Sequence, residues 1–141
     1  MKHLATVLLI LSLSLAHATD YDRMYKRVAQ IESNNIATAI GDDGKAYGIL
    51  QIHKICVDDI NRMYGTTFTH KDAFDINKSK IMFKLYLKAG VKRFIRKYKR
   101  HPTEEEIVRM WNGGIYQGYK INDTIKYYKK YESTIKRKHS A

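Results

Sequence analysis

A single carboxylate interrupts the apolar face of an early helix that the sequence predicts. In the stretch VAQIESNN, Val28 and Ile31 lie on one side of Glu32 on a helical wheel, and Ala29 lies on the other. A carboxyl in this setting loses water, and desolvation of its charged form raises its pKa. A carboxyl that keeps its proton near neutral pH can protonate a glycosidic oxygen as a general acid. The alternative is a helix-end glutamate that turns out to solvent.

The elements that must position Glu32 are mostly helices. Apolar spacing, caps and turn residues predict helices over residues 20–33, 53–64, 75–100, 103–113 and 122–136. Asp20 or Asp22 can cap the start of the first helix, and Asn34–Asn35 can end it. A capping box of Thr103 and Glu106 opens the fourth of these helices. Apolar patches flank the turn signal GDDGK within residues 36–52, which predicts one small β-hairpin. We therefore expect an α+β fold, mostly α, in a single domain.

Two short motifs near Glu32 resemble those of the lysozyme-like transglycosylase family, which includes soluble lytic transglycosylases and goose-type lysozymes. Glu32 and Ser33 match the Glu-Ser pair at the end of a helix in that family. The run GILQI at residues 48–52 is similar to the family's Gly-Leu-Met-Gln-Ile strand, with Leu50 in place of methionine. The resemblance implies a lysozyme-like fold of several helices and one small hairpin.

Later motifs follow in the same order as in the family and extend the resemblance over nearly all of the chain after residue 18. MWNGG at residues 110–114 is similar to the family's Ala-Tyr-Asn-x-Gly run, with Trp111 in place of tyrosine. DTIKYYKKY at residues 123–131 puts Tyr127 at the position of a late-helix tyrosine. Residues 73–87 resemble an Asp-Pro-x-x-Asn-Ile helix start without its proline.

The resemblance implies a peptidoglycan-cleaving site in which Glu32 is the catalytic acid and then the base. The substrate-binding residues that it implies are Ser33, Asp42, Tyr47, Gly48, Gln51, Ile52, Asn112 and Tyr127. Structural roles stay open for three of them. Gln51 could satisfy the backbone of the hairpin, Asn112 could cap a helix, and Tyr127 could belong to the core.

The type of reaction depends on whether a second acid takes part. Lytic transglycosylases use one glutamate, and the N-acetyl group and 6-hydroxyl of the substrate complete the reaction to a 1,6-anhydro-muramic end. In a goose-type lysozyme, the position of Asp42 is implicated in placing water, so hydrolysis stays open. Asp42 and Asp43 are also ordinary turn residues. We favour non-hydrolytic cleavage of the β-1,4 bond between N-acetylmuramic acid and N-acetylglucosamine.

Residues 1–18 predict a signal peptide, which leaves residues 19–141 as the exported domain. Lys2 and His3 precede an apolar run over residues 4–16, and Ala16 and Ala18 offer the small side chains of a cleavage site. The run is too short for a stable membrane span, which takes about 20 residues. We expect a periplasmic or secreted protein. Cys56 is the only cysteine, so no internal disulfide forms, and we expect it to be a small buried side chain.

The net charge of +12 favours a polyanionic partner. Glycan strands of peptidoglycan are the expected partner of a monomeric enzyme, with a secretion machine of the cell envelope or a phage as further contexts. No specific nucleic-acid contact, metal site or cofactor is predicted, since the six histidines are scattered without ligand spacing. Two rival interpretations are a secreted cationic protein that binds polyanions without catalysis and a wall-binding module that has lost turnover.

Overall fold

The computed structural model describes residues 19–136. The predicted signal peptide and residues 137–141 lie outside the described residues. Within that part, five α-helices and three short strands follow the chain. The helices are α1 (Tyr21–Ser33), α2 (Lys54–Tyr64), α3 (Ile76–Tyr98), α4 (Glu104–Gly113) and α5 (Asp123–Lys136). The strands are β1 (Ile40–Gly41), β2 (Ala46–Tyr47) and β3 (Ile52–His53). The predicted α+β class with mostly α structure is confirmed.

The helix boundaries follow local capping signals. The side chain of Asp20 accepts a hydrogen bond of 2.9 Å from the backbone N–H of Arg23 at the start of α1. At the other end, Asn34 adopts a left-handed conformation with φ of 55°. Thr103 and Glu106 form the reciprocal capping box that opens α4. These predictions from the sequence are confirmed.

The predicted hairpin is part of a three-stranded antiparallel sheet in the order β1-β2-β3. Ile40 pairs with Tyr47 across the hairpin, and Tyr47 pairs with Ile52 on the added strand. Positive φ values at Gly48 (76°) and Gln51 (51°) fold the chain back between β2 and β3. The predicted hairpin is therefore present as β1 and β2, and β3 adds a third strand to it. The second helix begins at Lys54, one residue later than predicted, because His53 belongs to β3.

The core is built around α3, the longest helix. Met82, Phe83 and Leu87 of α3 have no exposed surface. They pack in one apolar cluster with side chains from each of the four remaining helices and from the sheet. Because α3 is covered by neighbours over much of its circumference, it serves as the scaffold on which the other elements are placed.

Glu104 at the start of α4 holds α1 and α5 together. Its carboxylate lies 3.2 Å from the Arg23 guanidinium and 3.6 Å from that of Arg27 on α1. The hydroxyl of the fully buried Tyr131 on α5 donates a hydrogen bond to the same carboxylate. The contact fixes the relative position of α1 and α5, which carry Glu32 and Tyr127.

Candidate active site

A cleft of about 440 Å³ opens between the sheet, α2, α3 and α4, with Glu32 in its wall. Among the residues that the resemblance implied, the cleft is lined by Glu32, Asp42, Gln51, Ile52 and Asn112. The other lining residues are Ala46, His53, Ile55, Cys56, Tyr86, Trp111 and Gly114. The fold thus brings together side chains from the sheet and from four helices on one concave surface.

Glu32 is partly buried at the end of α1. The hydroxyl of Tyr127 donates a hydrogen bond of 2.6 Å to its Oε1 atom, across 95 residues of sequence. Burial raises the pKa of the Glu32 carboxyl, although hydrogen bonds from Tyr127 and Trp111 and the charge of Lys130 act in the opposite direction. The carboxyl therefore holds its proton to a higher pH than an exposed glutamate does.

Tyr127 stays a hydrogen-bond donor at any physiological pH. Burial, followed by the nearby charge of Glu32, raises the pKa of its phenol well above the usual value. Tyr127 is not among the residues that line the cleft, and it reaches the site through its bond to Glu32. Its neighbour one turn later, Tyr131, is the core residue of this aromatic stripe.

Residues 48–51 form a tight turn that has no room for a side chain at position 48. A Cβ atom on Gly48 would lie 1.9 Å from the carbonyl oxygen of Ala73, and the φ of Gly48 is itself in the left-handed region. The side-chain amide of Gln51 donates hydrogen bonds to the carbonyls of Gly48 (2.9 Å) and Ala39 (3.3 Å). Gln51 thus satisfies the backbone of the turn and also lines the cleft.

Ser33 and Tyr47 do not line the cleft, and both hold elements around it. The Ser33 hydroxyl donates a hydrogen bond of 2.8 Å to the carbonyl of Ile49, which ties the end of α1 to the turn before β3. The ring of Tyr47 stacks on His70 at a centroid distance of 3.9 Å. Gly48, too, shapes the turn without lining the cleft.

Asp42 faces the cleft from the turn after β1 and has a partner that sequence reasoning missed. Its carboxylate lies 3.4 Å from Nε2 of His53, and both side chains line the cleft. Nothing in the local sequence distinguishes His53, because the pairing depends on the third strand, which the sequence did not predict.

The aromatic side of the cleft is formed by Trp111 and Tyr86, which were also missed as site residues. Trp111 packs edge-on against Phe83 and Tyr86, with centroid distances of 4.9 and 6.0 Å. These contacts with core side chains hold the indole in place. The sequence signal that could have identified Trp111 is its place in MWNGG, where the family that this motif resembles has a tyrosine.

Cys56 lines the cleft and is partly buried, where the sequence predicted a small buried side chain. Burial raises the pKa of its thiol to about 12. The thiol stays protonated at neutral pH, so Cys56 is unsuited to act as a nucleophile.

Within residues 19–136, no group of three or more His, Cys, Asp or Glu side chains could hold a metal ion. In the same part of the chain, no helix combines the length and apolarity needed to cross a membrane. In comparisons with protein-family models, curated proteins and solved structures, the chain has no match.

Proposed function

We propose that the protein cleaves the β-1,4 bond between N-acetylmuramic acid and N-acetylglucosamine in peptidoglycan, as a lytic transglycosylase with Glu32 as general acid and base. The observation that carries the proposal is the position of Glu32 in the cleft wall, where burial raises its pKa and Tyr127 holds one of its oxygens. The order of the motifs around this residue, from residue 32 to residue 131, adds the resemblance as a second support.

The proposed reaction uses one carboxyl twice. Because Tyr127 donates to Oε1, the proton of the neutral carboxyl is best carried by Oε2, which gives it to the glycosidic oxygen as the bond to C1 breaks. The resulting Glu32 carboxylate then takes the proton of the 6-hydroxyl of the muramic sugar. That oxygen bonds to C1, and the product ends in a 1,6-anhydro ring.

The lining of the cleft suits a sugar chain. Trp111 and Tyr86 offer an aromatic surface to the apolar face of a sugar ring. Gln51, Asn112 and Asp42 offer amide and carboxylate groups to its hydroxyl and acetamido groups. A cleft with both kinds of surface can fix the ring and its substituents relative to Glu32.

The expected export and the net charge of +12 agree with a substrate in the cell envelope. Attraction between exposed lysines and an anionic wall weakens as salt shortens the screening length to about 3 Å at 1 M. We therefore expect binding to isolated sacculi and cleavage of them to fall at high salt. Binding that does not change with salt would contradict this electrostatic contribution.

Hydrolysis is the second candidate, and it is favoured by one observation. Asp42 and His53 form a pair, 3.4 Å apart, that lines the same cleft as Glu32. A carboxylate and an imidazole together can hold and deprotonate a water molecule, as an inverting glycosidase requires. In that case Glu32 would act as the acid alone.

Mass spectrometry of the fragments released from purified sacculi separates these possibilities. The proposed reaction gives 1,6-anhydro fragments, one water lighter than the reducing sugars that hydrolysis gives. Glu32→Gln should release neither, and Asp42→Asn should leave the anhydro products unchanged. Reducing products that disappear in Asp42→Asn would establish the hydrolytic alternative. A parent protein that releases no fragments would favour a cationic binding protein or a wall-binding module without turnover.

A further inference from the structure

A second groove, of about 320 Å³, lies between α2, α3 and the chain that follows α4. Met63, Ala89 and Ile115 give it an apolar lining. Tyr64 and Tyr116 line it as well, and each exposes more than two fifths of its surface, 41% and 44%. The groove therefore offers apolar contacts and the exposed parts of two tyrosine side chains to a ligand.

Three cations line the same groove from α3: Lys92, Arg93 and Arg96. Among residues 19–136, no acid lies within ion-pair distance of any of them. The guanidinium of Arg93 lies 4.5 Å from the centroid of the Tyr116 ring. Lys80 and Lys84, nearer the start of α3, by contrast share an ion pair with the carboxylate of Asp22 on α1. The positive charge at the groove is thus available to a ligand.

The groove and the cleft are neighbours because α2, α3 and the chain after α4 each line both of them. On α3, Tyr86 lines the cleft and Ala89 lines the groove. On α2, Cys56 lines the cleft and Met63 lines the groove, seven residues and about 10 Å further along the helix. After α4, Gly114 lines the cleft and the next residue, Ile115, lines the groove. A long substituent on a sugar chain bound in the cleft can therefore extend along these segments into the groove.

We propose that this groove binds the carboxylate-bearing stem peptide attached to the muramic sugar. The inference rests on the proposed function and adds a peptide subsite to it. Guanidinium and ammonium groups bind carboxylates through charge-assisted hydrogen bonds. The apolar lining suits the alanine methyl groups of such a peptide, whereas a phosphodiester polymer would gain nothing from it. The combination of three cations and an apolar lining favours a short anionic peptide.

Binding of the free tetrapeptide of alanine, glutamate, diaminopimelate and alanine tests the subsite without any cleavage. The groove variant carries Lys92→Glu and Arg96→Glu. The control carries Lys26→Glu and Lys71→Glu, which makes the same change in net charge at exposed lysines outside the groove. By isothermal titration calorimetry, we expect the groove variant to bind the peptide at least about tenfold more weakly than the parent. The control should stay within about twofold of the parent.

Equal peptide affinities in all three proteins would overturn the proposal. So would a groove variant that loses binding to wall teichoic polymer or to anionic vesicles while its peptide affinity is unchanged. As a second readout, the groove variant should lose kcat/KM on glycan strands that carry stem peptides and keep it on strands freed of them by an amidase. Peptide binding by a parent protein that cleaves neither substrate would refute the proposed function and leave the peptide site standing.

Discussion

Two carboxylates on α1, Asp22 and Glu32, lie at opposite ends of one helix in opposite surroundings. The side chain of Asp22 is more than half exposed and meets Lys80 at 2.8 Å and Lys84 at 2.9 Å. Hydrogen bonds from these two lysines lower the pKa of Asp22 to about 2. At the other end, burial raises the pKa of Glu32. The surroundings of Asp22 therefore favour the charged form of its carboxyl, whereas burial favours the neutral form of the Glu32 carboxyl.

The difference lies in what covers each end of the helix. Around Asp22 there are cations and water, which stabilise a negative charge. The Glu32 end is covered by the turn before β3, where Ser33 bonds to Ile49, and by Tyr127 of α5. An acid with the first environment tethers helices, whereas an acid with the second can give up a proton to a substrate.

The largest expected effect is on the cleavage of peptidoglycan, which should depend on Glu32 and hardly on Asp22. Glu32→Gln should lower kcat/KM on peptidoglycan at least about 100-fold, because the variant has no proton to donate. The matched variant Asp22→Asn should stay within about threefold, since it loses only its exposed ion pairs with Lys80 and Lys84. Turbidity loss of purified peptidoglycan measures both. Equal rates for parent and Glu32→Gln would remove Glu32 from the chemistry.

The next effect concerns the turn that covers the Glu32 end. Gly48→Ala should lower the free energy of unfolding by about 2–4 kcal/mol, because the new methyl collides with the carbonyl of Ala73 in a left-handed conformation. Gly65→Ala is the control: its φ is also positive, at 65°, but no atom lies near the added Cβ. We expect it to cost about 1 kcal/mol by urea denaturation. Similar losses in the two variants would mean that the turn tolerates a side chain.

Removing the partner of Glu32 should have a smaller effect than removing Glu32. Tyr127→Phe deletes the hydrogen bond to Oε1 and should lower kcat about tenfold, since the carboxyl loses its orientation. The same loss should raise the pKa of Glu32 further, because that bond favours the charged form. The alkaline limb of the pH–rate profile should therefore move to higher pH. Tyr128→Phe is the control, and a matching shift there would refute the role of Tyr127.

The smallest effect is on stability as a function of pH, and it should have opposite signs at the two ends of α1. The pKa of Glu32 is raised in the folded state, so its contribution to stability is full below the unfolded pKa and is lost as pH rises through the folded value. For Asp22 the folded pKa is lowered to about 2, so its contribution is present above the unfolded value and is lost as pH falls.

Thermal melts at about pH 2, pH 4 and pH 8 measure this contrast. Relative to the parent, Glu32→Gln should gain stability as pH rises from about 4 to about 8. Asp22→Asn should lose stability relative to the parent as pH rises from about 2 to about 4, the range between its folded and unfolded pKa values. Parallel curves for the parent and both variants would show that the two carboxylates do not differ in the folded protein.

Local signals in the sequence were enough to predict the helices and their caps. Asp20, Asn34 and the pair Thr103–Glu106 act within a few residues of themselves, so their effects are visible without tertiary structure. The third strand was missed because it has only two residues and depends on a turn in which Gln51 has a positive φ. A pattern of alternating residues cannot appear in so short a strand.

Only the part of the site that lies on a single helix could be predicted from the residue spacing. The place of Glu32 on an apolar face came from helical spacing alone, whereas Tyr127 was named as a site residue only through the resemblance, and its bond to Glu32 was not predicted. His53 lies on β3 and Tyr86 on α3, and their arrival in one cleft depends on how these two elements are placed in the fold. The groove on α3 was missed for the same reason, since its apolar lining comes from α2, α3 and Ile115.

The most direct test of the central claim is to measure the pKa of Glu32 and compare it with the pH dependence of the reaction. Carbon-13 NMR of the side-chain carboxyls, with Glu32→Gln to assign the resonance, gives the first value. The alkaline limb of kcat/KM on peptidoglycan strands gives the second. We predict that Glu32 titrates above the range of an exposed glutamate and that the two values coincide. A Glu32 that titrates like an exposed carboxyl, or a rate that does not follow its titration, would contradict the account.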